Sequence, residues 1–286
     1  MSRNKQRTNA ASNPVASVPT VENPTPPKSA TLSYVTPTEF VELPSGGKYY
    51  RENHPLHNKD VVEMKYMTAK DEDILASPAL LRKGLAIDRL LENLIVDQNI
   101  NVQDLLIGDK NALLISARIS GYGNDYAVGV ECPACGEGIQ HEFDLSEIKI
   151  NPGVSTEDDD RITTTDAGTF VVELPRTKYP VEFRLLTSGD ENYLQKAADN
   201  LKKYKLPDAT STTLLKQIVI AVNGVMENSE ISGFIDNMPA QDARFLRACV
   251  QIVTPNVDMS QEIECSSCGA VTEMEVPFTS EFFWPE

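Results

Sequence analysis

Four of the five cysteines fall into two Cys-x-x-Cys-Gly segments, Cys132-Pro133-Ala134-Cys135-Gly136 and Cys265-Ser266-Ser267-Cys268-Gly269. Paired thiols at this spacing point to metal or redox chemistry. The flanks Tyr126–Glu131, Ile139–Leu145, Gln261–Glu264 and Val271–Phe278 alternate and are β-rich, so each pair should sit at the tip of a hairpin. A tight turn aims both sulfurs of a pair at one point, and the glycine tolerates the left-handed backbone such a turn needs. Zn²⁺ takes four ligands in a tetrahedron, and one segment supplies only two. Together Cys132, Cys135, Cys265 and Cys268 make a closed Cys₄ set that would hold a structural ion. Such an ion adds its binding free energy to folding, on the order of 10 kcal/mol.

Other readings compete with the shared site. A redox Cys-x-x-Cys belongs at the start of a helix, whose dipole lowers the thiol pKa, whereas strands follow here. Two separate zinc sites, each completed by another chain or by His141, and the absence of any metal are the remaining alternatives. Cys249 shares a helical face with Phe245, Leu246, Val250 and Val253 and reads as a buried structural thiol. His54 and His57 lie three apart in a polar loop with no third ligand near them in sequence, so a metal or hydrolytic pair is disfavoured against surface histidines. Glu131 and Glu264 precede the two cysteine segments and read as facing solvent or pairing with a lysine, not as an acid and base. Ser120-Gly121-Tyr122-Gly123 leads into a strand and lacks the following helix that would hold phosphate. No catalytic constellation stands out.

The elements that must position the cysteines recur along the chain. Val62–Leu75 (VEMKYMTAKDEDIL) and Val181–Leu194 (VEFRLLTSGDENYL) share six of fourteen residues. Upstream of these are FVELP at Phe40–Pro44 and FVVELP at Phe170–Pro175, each followed by a Lys-Tyr pair. Downstream are VECPACG at Val130–Gly136 and IECSSCG at Ile263–Gly269. Three matching blocks in one order predict a tandem duplication. Residues 37–150 are copy 1 and 168–286 copy 2. Residues 151–167, with the acidic run Glu157–Asp160, read as a solvated linker, since that run lacks the acid spacing and glycine of a calcium loop.

Each copy reads as an α+β module. A strand at Phe40–Leu43 leads through the turn signal Ser45-Gly46-Gly47 to a strand near Val61–Met67. Thr68 or Asp71 offers a helix N-cap, with Glu72 and Asp73 in the first turn. Ile87, Leu90, Leu91, Leu94 and Ile95 line one face of a helix over about 86–96. Leu214, Leu215, Ile218 and Val222 are the counterparts in copy 2. A further helix covers about 109–119 and its equivalent 241–253, and the cysteine hairpin closes the module.

The formal net charge of −16 provides no basic field for phosphates and argues against nucleic acid as a partner. No stretch reaches the roughly 20 apolar residues of a membrane helix. Arg3, Lys5 and Arg7 precede no apolar run, so no signal peptide is expected and the cysteines should stay reduced in the cytoplasm. Residues 1–36, rich in Asn, Ser, Thr and Pro, read as a disordered, mildly basic arm.

The segments Glu42–Tyr50, Met67-Thr68 with Asp71-Glu72 and Leu75, Asp104–Leu106 with Asp109–Asn111, and Gly121–Gly136 resemble the baseplate hub or hub-assembly proteins of T-even-type contractile-tailed phages. Copy 1 carries the resemblance well. Copy 2 carries it more weakly, having lost the Ser-Gly-Gly and Gly-Tyr-Gly segments. The resemblance implies a non-enzymatic baseplate or assembly component. Its partners would be other hub, tube or tail proteins, and it would be built in the host cytoplasm and located in the virion tail. A cytoplasmic zinc-ribbon adaptor that binds another complex is the alternative.

Overall fold

Short strands and helices alternate irregularly, as the mixed periodicity predicts, and every sheet in the computed structural model is antiparallel. The structure describes residues 35–153, 160–204, 210–277 and 282–283. Most of the N-terminal arm and of the acidic run at 157–160 lies outside these residues.

The first half runs β1 (Thr38–Glu42), β2 (Val61–Lys65), α1 (Ala69–Leu75), α2 (Pro78–Lys83), α3 (Ala86–Leu94), α4 (Ile107–Tyr122), β3 (Asp125–Glu131), β4 (Gly138–Asp144) and β5 (Lys149–Asn151). The second runs β6 (Ile162–Thr164), β7 (Phe170–Glu173), β8 (Pro180–Phe183), α5 (Ser188–Lys203), α6 (Thr210–Ile218), β9 (Val219–Val222), α7 (Asn228–Asp236), α8 (Ala240–Val253), β10 (Asn256–Asp258), β11 (Ser260–Glu264) and β12 (Val271–Glu275). Residues 36–286 form one compact unit, and a single apolar cluster runs through both halves, from Leu43 and Phe143 to Phe183 and Ile263.

The same local devices occur in both halves. Thr68 and Thr187 start α1 and α5, and the Asp three residues on accepts the backbone amide of each, Asp71 at 2.9 Å and Asp190 at 2.9 Å. β1 pairs with β2 in the register that β7 keeps with β8: Val41 lies opposite Val62, and Val172 opposite Val181. Past each second strand the chain returns as a third segment. Met64 bridges Ile95, and Phe183 pairs with Val219. Lys65 Nζ donates to the Asn93 carbonyl, and Arg184 Nη2 to that of Gln217.

Two expectations shift. The apolar face expected to run from Leu214 to Val222 is not one helix. α6 ends at Ile218, because the β-branched run Val219–Val222 gains more by pairing with β8. The stretch 151–167, read as linker, contains β6, which hydrogen-bonds to β7, and begins with Asn151 at the end of β5.

The halves are tied by backbone and by charge. β5 of the first half pairs with β10 of the second. Gly108 in α4 presses so closely on the second half that a Cβ there would stand 2.0 Å from the Pro255 carbonyl oxygen. Lys110, buried, meets Asp88 at 3.2 Å, Ser188 Oγ at 2.9 Å and Glu191 at 3.3 Å. A buried ammonium is tolerated only with such partners.

Candidate metal centre

Each cysteine pair closes a hairpin: β3 with β4, and β11 with β12. The two turns are built alike. The Gly136 amide donates to the Cys132 carbonyl at 2.8 Å, and that of Gly269 to Cys265 at 2.8 Å. The Cys132 amide donates to the Glu137 carbonyl and that of Cys265 to Ala270, both at 2.9 Å. Gly136 and Gly269 have φ of 74° and 70°, the left-handed backbone expected of them.

The turns bring all four sulfurs together within 4.8 Å of one another. The close pairs cross between hairpins and are reciprocal: Cys132 to Cys268 at 3.9 Å and Cys135 to Cys265 at 3.8 Å. Zn–S bonds of about 2.3 Å place tetrahedral sulfurs roughly 3.8 Å apart, so the cluster has the size of a four-coordinate thiolate site. Cys132 and Cys265 are buried, whereas Cys135 and Cys268 face outward. The amides of Cys268 and Ser267 point at the Cys265 sulfur and hold its thiol down at about 7, while the Cys135 thiol, despite the Glu137 amide that favours its ionisation, is pushed up to about 12 by the neighbouring thiols. These residues can hold a metal ion.

Contacts that no sequence pattern announced fix the hairpins to each other. Gln261 on β11 brackets the end of β4, accepting from the Asp144 amide at 3.3 Å and donating to its carbonyl at 2.7 Å. Tyr126 on β3 donates to the Pro277 carbonyl at 3.1 Å and takes the ring of Phe282 edge-on, with centroids 5.2 Å apart. These partners are separated by 117 and 151 residues, and only the folded chain brings them together.

The remaining candidates lie elsewhere. His141 is on β4 with its ring against Phe143, and it is not a member of the sulfur cluster. His54 accepts the Leu56 amide at 3.1 Å and stacks on Tyr50. His57 bonds the Tyr50 carbonyl at 2.6 Å. Among the described residues neither joins a group that could hold a metal. Cys249 is buried in α8, and Glu131 and Glu264 are exposed.

An α+β unit with a closed four-sulfur cluster and short, mutually braced hairpins defines a structural class of protein, one in which a metal would fix a shape. A family model described as T4 bacteriophage base plate protein matches residues 36–284. The chain belongs to that baseplate family, which makes it a phage tail component. No curated protein and no solved structure matches it. No helix among the described residues is long and apolar enough to cross a membrane.

Proposed function

We propose that this chain is a non-enzymatic part of the baseplate hub, built from two copies of one module that a single Zn²⁺ on Cys132, Cys135, Cys265 and Cys268 clamps together. The reciprocal sulfur pairs carry the reading: each hairpin contributes two thiolates, and neither completes a tetrahedron alone. The duplication is supported by the paired helix starts at Thr68 and Thr187 and by the matching registers of β1–β2 and β7–β8. When bound, zinc supplies a rigid tetrahedral cross-link. The chain's own residues do the rest: the glycine turns aim the sulfurs, and Gln261 and Tyr126 hold the hairpins in register. A part that must keep one angle between its halves while tail proteins assemble on it has use for such a clamp. Its partners are hub, tube and other tail proteins.

Mass spectrometry of purified particles, with capture of tail proteins by the tagged chain, tests this reading. Recovery with hub proteins supports it. Absence from particles, together with capture of a host cytoplasmic complex instead of tail proteins, would favour the adaptor and defeat the hub assignment.

A further inference from the structure

β7 in the second half has a neighbour on each edge, β8 and β6. β1 is its counterpart, with Glu42 matching Glu173 and Phe40 matching Val171 in the shared register. Among the described residues β1 pairs with β2 alone. Among the described residues, the position that Thr163 of β6 takes opposite Val171 has no equivalent on the outer side of Phe40.

The hydrogen-bond parity of this edge follows from its ends. The Leu43 amide donates to the Asp60 carbonyl, and the Tyr66 amide to the Pro37 carbonyl. Residues 37, 39, 41 and 43 therefore bond toward β2, and the alternate residues Thr38, Phe40 and Glu42 turn their N–H and C=O groups outward. The Val96 amide donates to the Glu63 carbonyl from the far side of β2, which fits the same parity. Beside this row stands Phe40, 70% exposed, the most exposed phenylalanine among the described residues. A bare edge with an apolar side chain on it is a template for another strand.

We infer that the outer edge of β1 is a self-association surface that pairs with β1 of a second copy, antiparallel about a two-fold axis at Phe40. The strand is centred on that residue. In this register Phe40 faces Phe40, Glu39 faces Val41, and Thr38 faces Glu42, so neither glutamate meets a like charge and the two aromatic rings share one sheet face. Sliding one strand by two residues either way would place Phe40 opposite Glu42 or opposite Thr38 and separate the phenylalanines, and the second of these also sets Glu39 opposite Glu39. The parity also closes. The Phe40 pair exchanges two hydrogen bonds and each Thr38–Glu42 pair exchanges two more, which uses every outward group of Thr38, Phe40 and Glu42. The product is a four-stranded sheet, β2-β1-β1-β2 across two chains, as many strands as the β6-β7-β8-β9 sheet of the second half.

Sedimentation equilibrium of the full chain at micromolar concentrations tests this. A mass of twice 31.5 kDa is expected. Phe40→Asp should abolish the dimer, because it puts two carboxylates face to face. Thr38→Pro removes only an outward N–H at the first residue of the strand, a place where proline is tolerated, and should weaken the dimer about tenfold. It remains decisive if circular dichroism shows that Phe40→Asp fails to fold. Met226→Asp, at another exposed apolar residue, should leave the dimer intact. A monomer at tens of micromolar, or a dimer that Thr38→Pro leaves unchanged, would overturn the inference.

Discussion

Asp109 and Asp242 are the third residues of α4 and α8, both fully buried, and each accepts the backbone amide that follows a proline earlier in the same half of the chain. Asp109 takes the Ser45 amide at 3.0 Å, after Pro44, together with the Ser45 hydroxyl at 2.6 Å and that of Tyr50 at 2.7 Å. Asp242 takes the amides of Arg176 at 2.8 Å, after Pro175, and Thr177 at 3.0 Å. The two carboxylates pin the β1–β2 turn and the β7–β8 turn, respectively, to the helix that leads toward the cysteine hairpin of that half. Removing Asp109 leaves three buried donors without their acceptor, and removing Asp242 leaves two part-buried amides without theirs. Asp109→Ala and Asp242→Ala should each lower stability by about 3 kcal/mol in denaturant unfolding. A loss under about 1 kcal/mol at one site would mean that the two halves do not rely on the same joint.

Gly108 touches the second half through its missing side chain. A Cβ 2.0 Å from the Pro255 carbonyl and 2.8 Å from the Asn256 Cα has backbone on its far side, which cannot swing away. Gly108→Ala should therefore destabilise by roughly 2 kcal/mol or more, although alanine favours helix elsewhere. Gly84, a helix C-cap with open space around it, provides a comparison, since strain alone should make Gly84→Ala cost about 1 kcal/mol.

Acid should attack the second half at Asp190. Burial works against its ionisation. The Arg184 guanidinium, the Thr187 amide and Gln217 outweigh that cost and hold the carboxyl at about 2. A folded pKa below the unfolded value of about 3.9 adds stability above pH 4 that is lost as pH falls from there through 2. Asp190→Asn should cost about 2 kcal/mol at pH 7, and the gap to the parent should close by pH 2. An undiminished gap at pH 2 would contradict this assignment of the proton.

The turn glycines of the cysteine hairpins are predicted to matter for backbone reasons alone. Nothing lies within 4 Å of a Cβ built on Gly269, yet its φ is 70°. Gly269→Ala should cost about 1 kcal/mol and speed loss of zinc to a chelator, measured by release to a chromogenic dye. Release at the parent rate would show that the turn does not preorganise the sulfurs.

What the sequence displayed was local or repeated. The cysteine segments, the cap at Thr68, the faces of α3 and α8 and both hairpins follow from turn chemistry and periodicity. α6 was overextended because Leu214, Leu215, Ile218 and Val222 satisfy a helical period, while the β-branched run after Ile218 argued for a strand. β6 was hidden because Ile162-Thr163-Thr164 is only three residues long, too short to show an alternation, although its β-branched side chains and the buried Ile162 suit a strand beside β7. Lys110 gave no sign of its buried partners, since Asp88, Ser188 and Glu191 come from three distant elements. Asp109 and Asp242 did leave a trace: both stand 23 residues before the first cysteine of their half, a spacing that marks them as equivalents.

Native mass spectrometry of the full chain tests the clamp most directly. One zinc per chain is expected. Cys265→Ser should release it and lower the thermal midpoint while most helical signal survives. A chain that folds with no zinc, or that binds two ions with Cys132 and Cys135 serving one and Cys265 and Cys268 the other, would contradict the shared site.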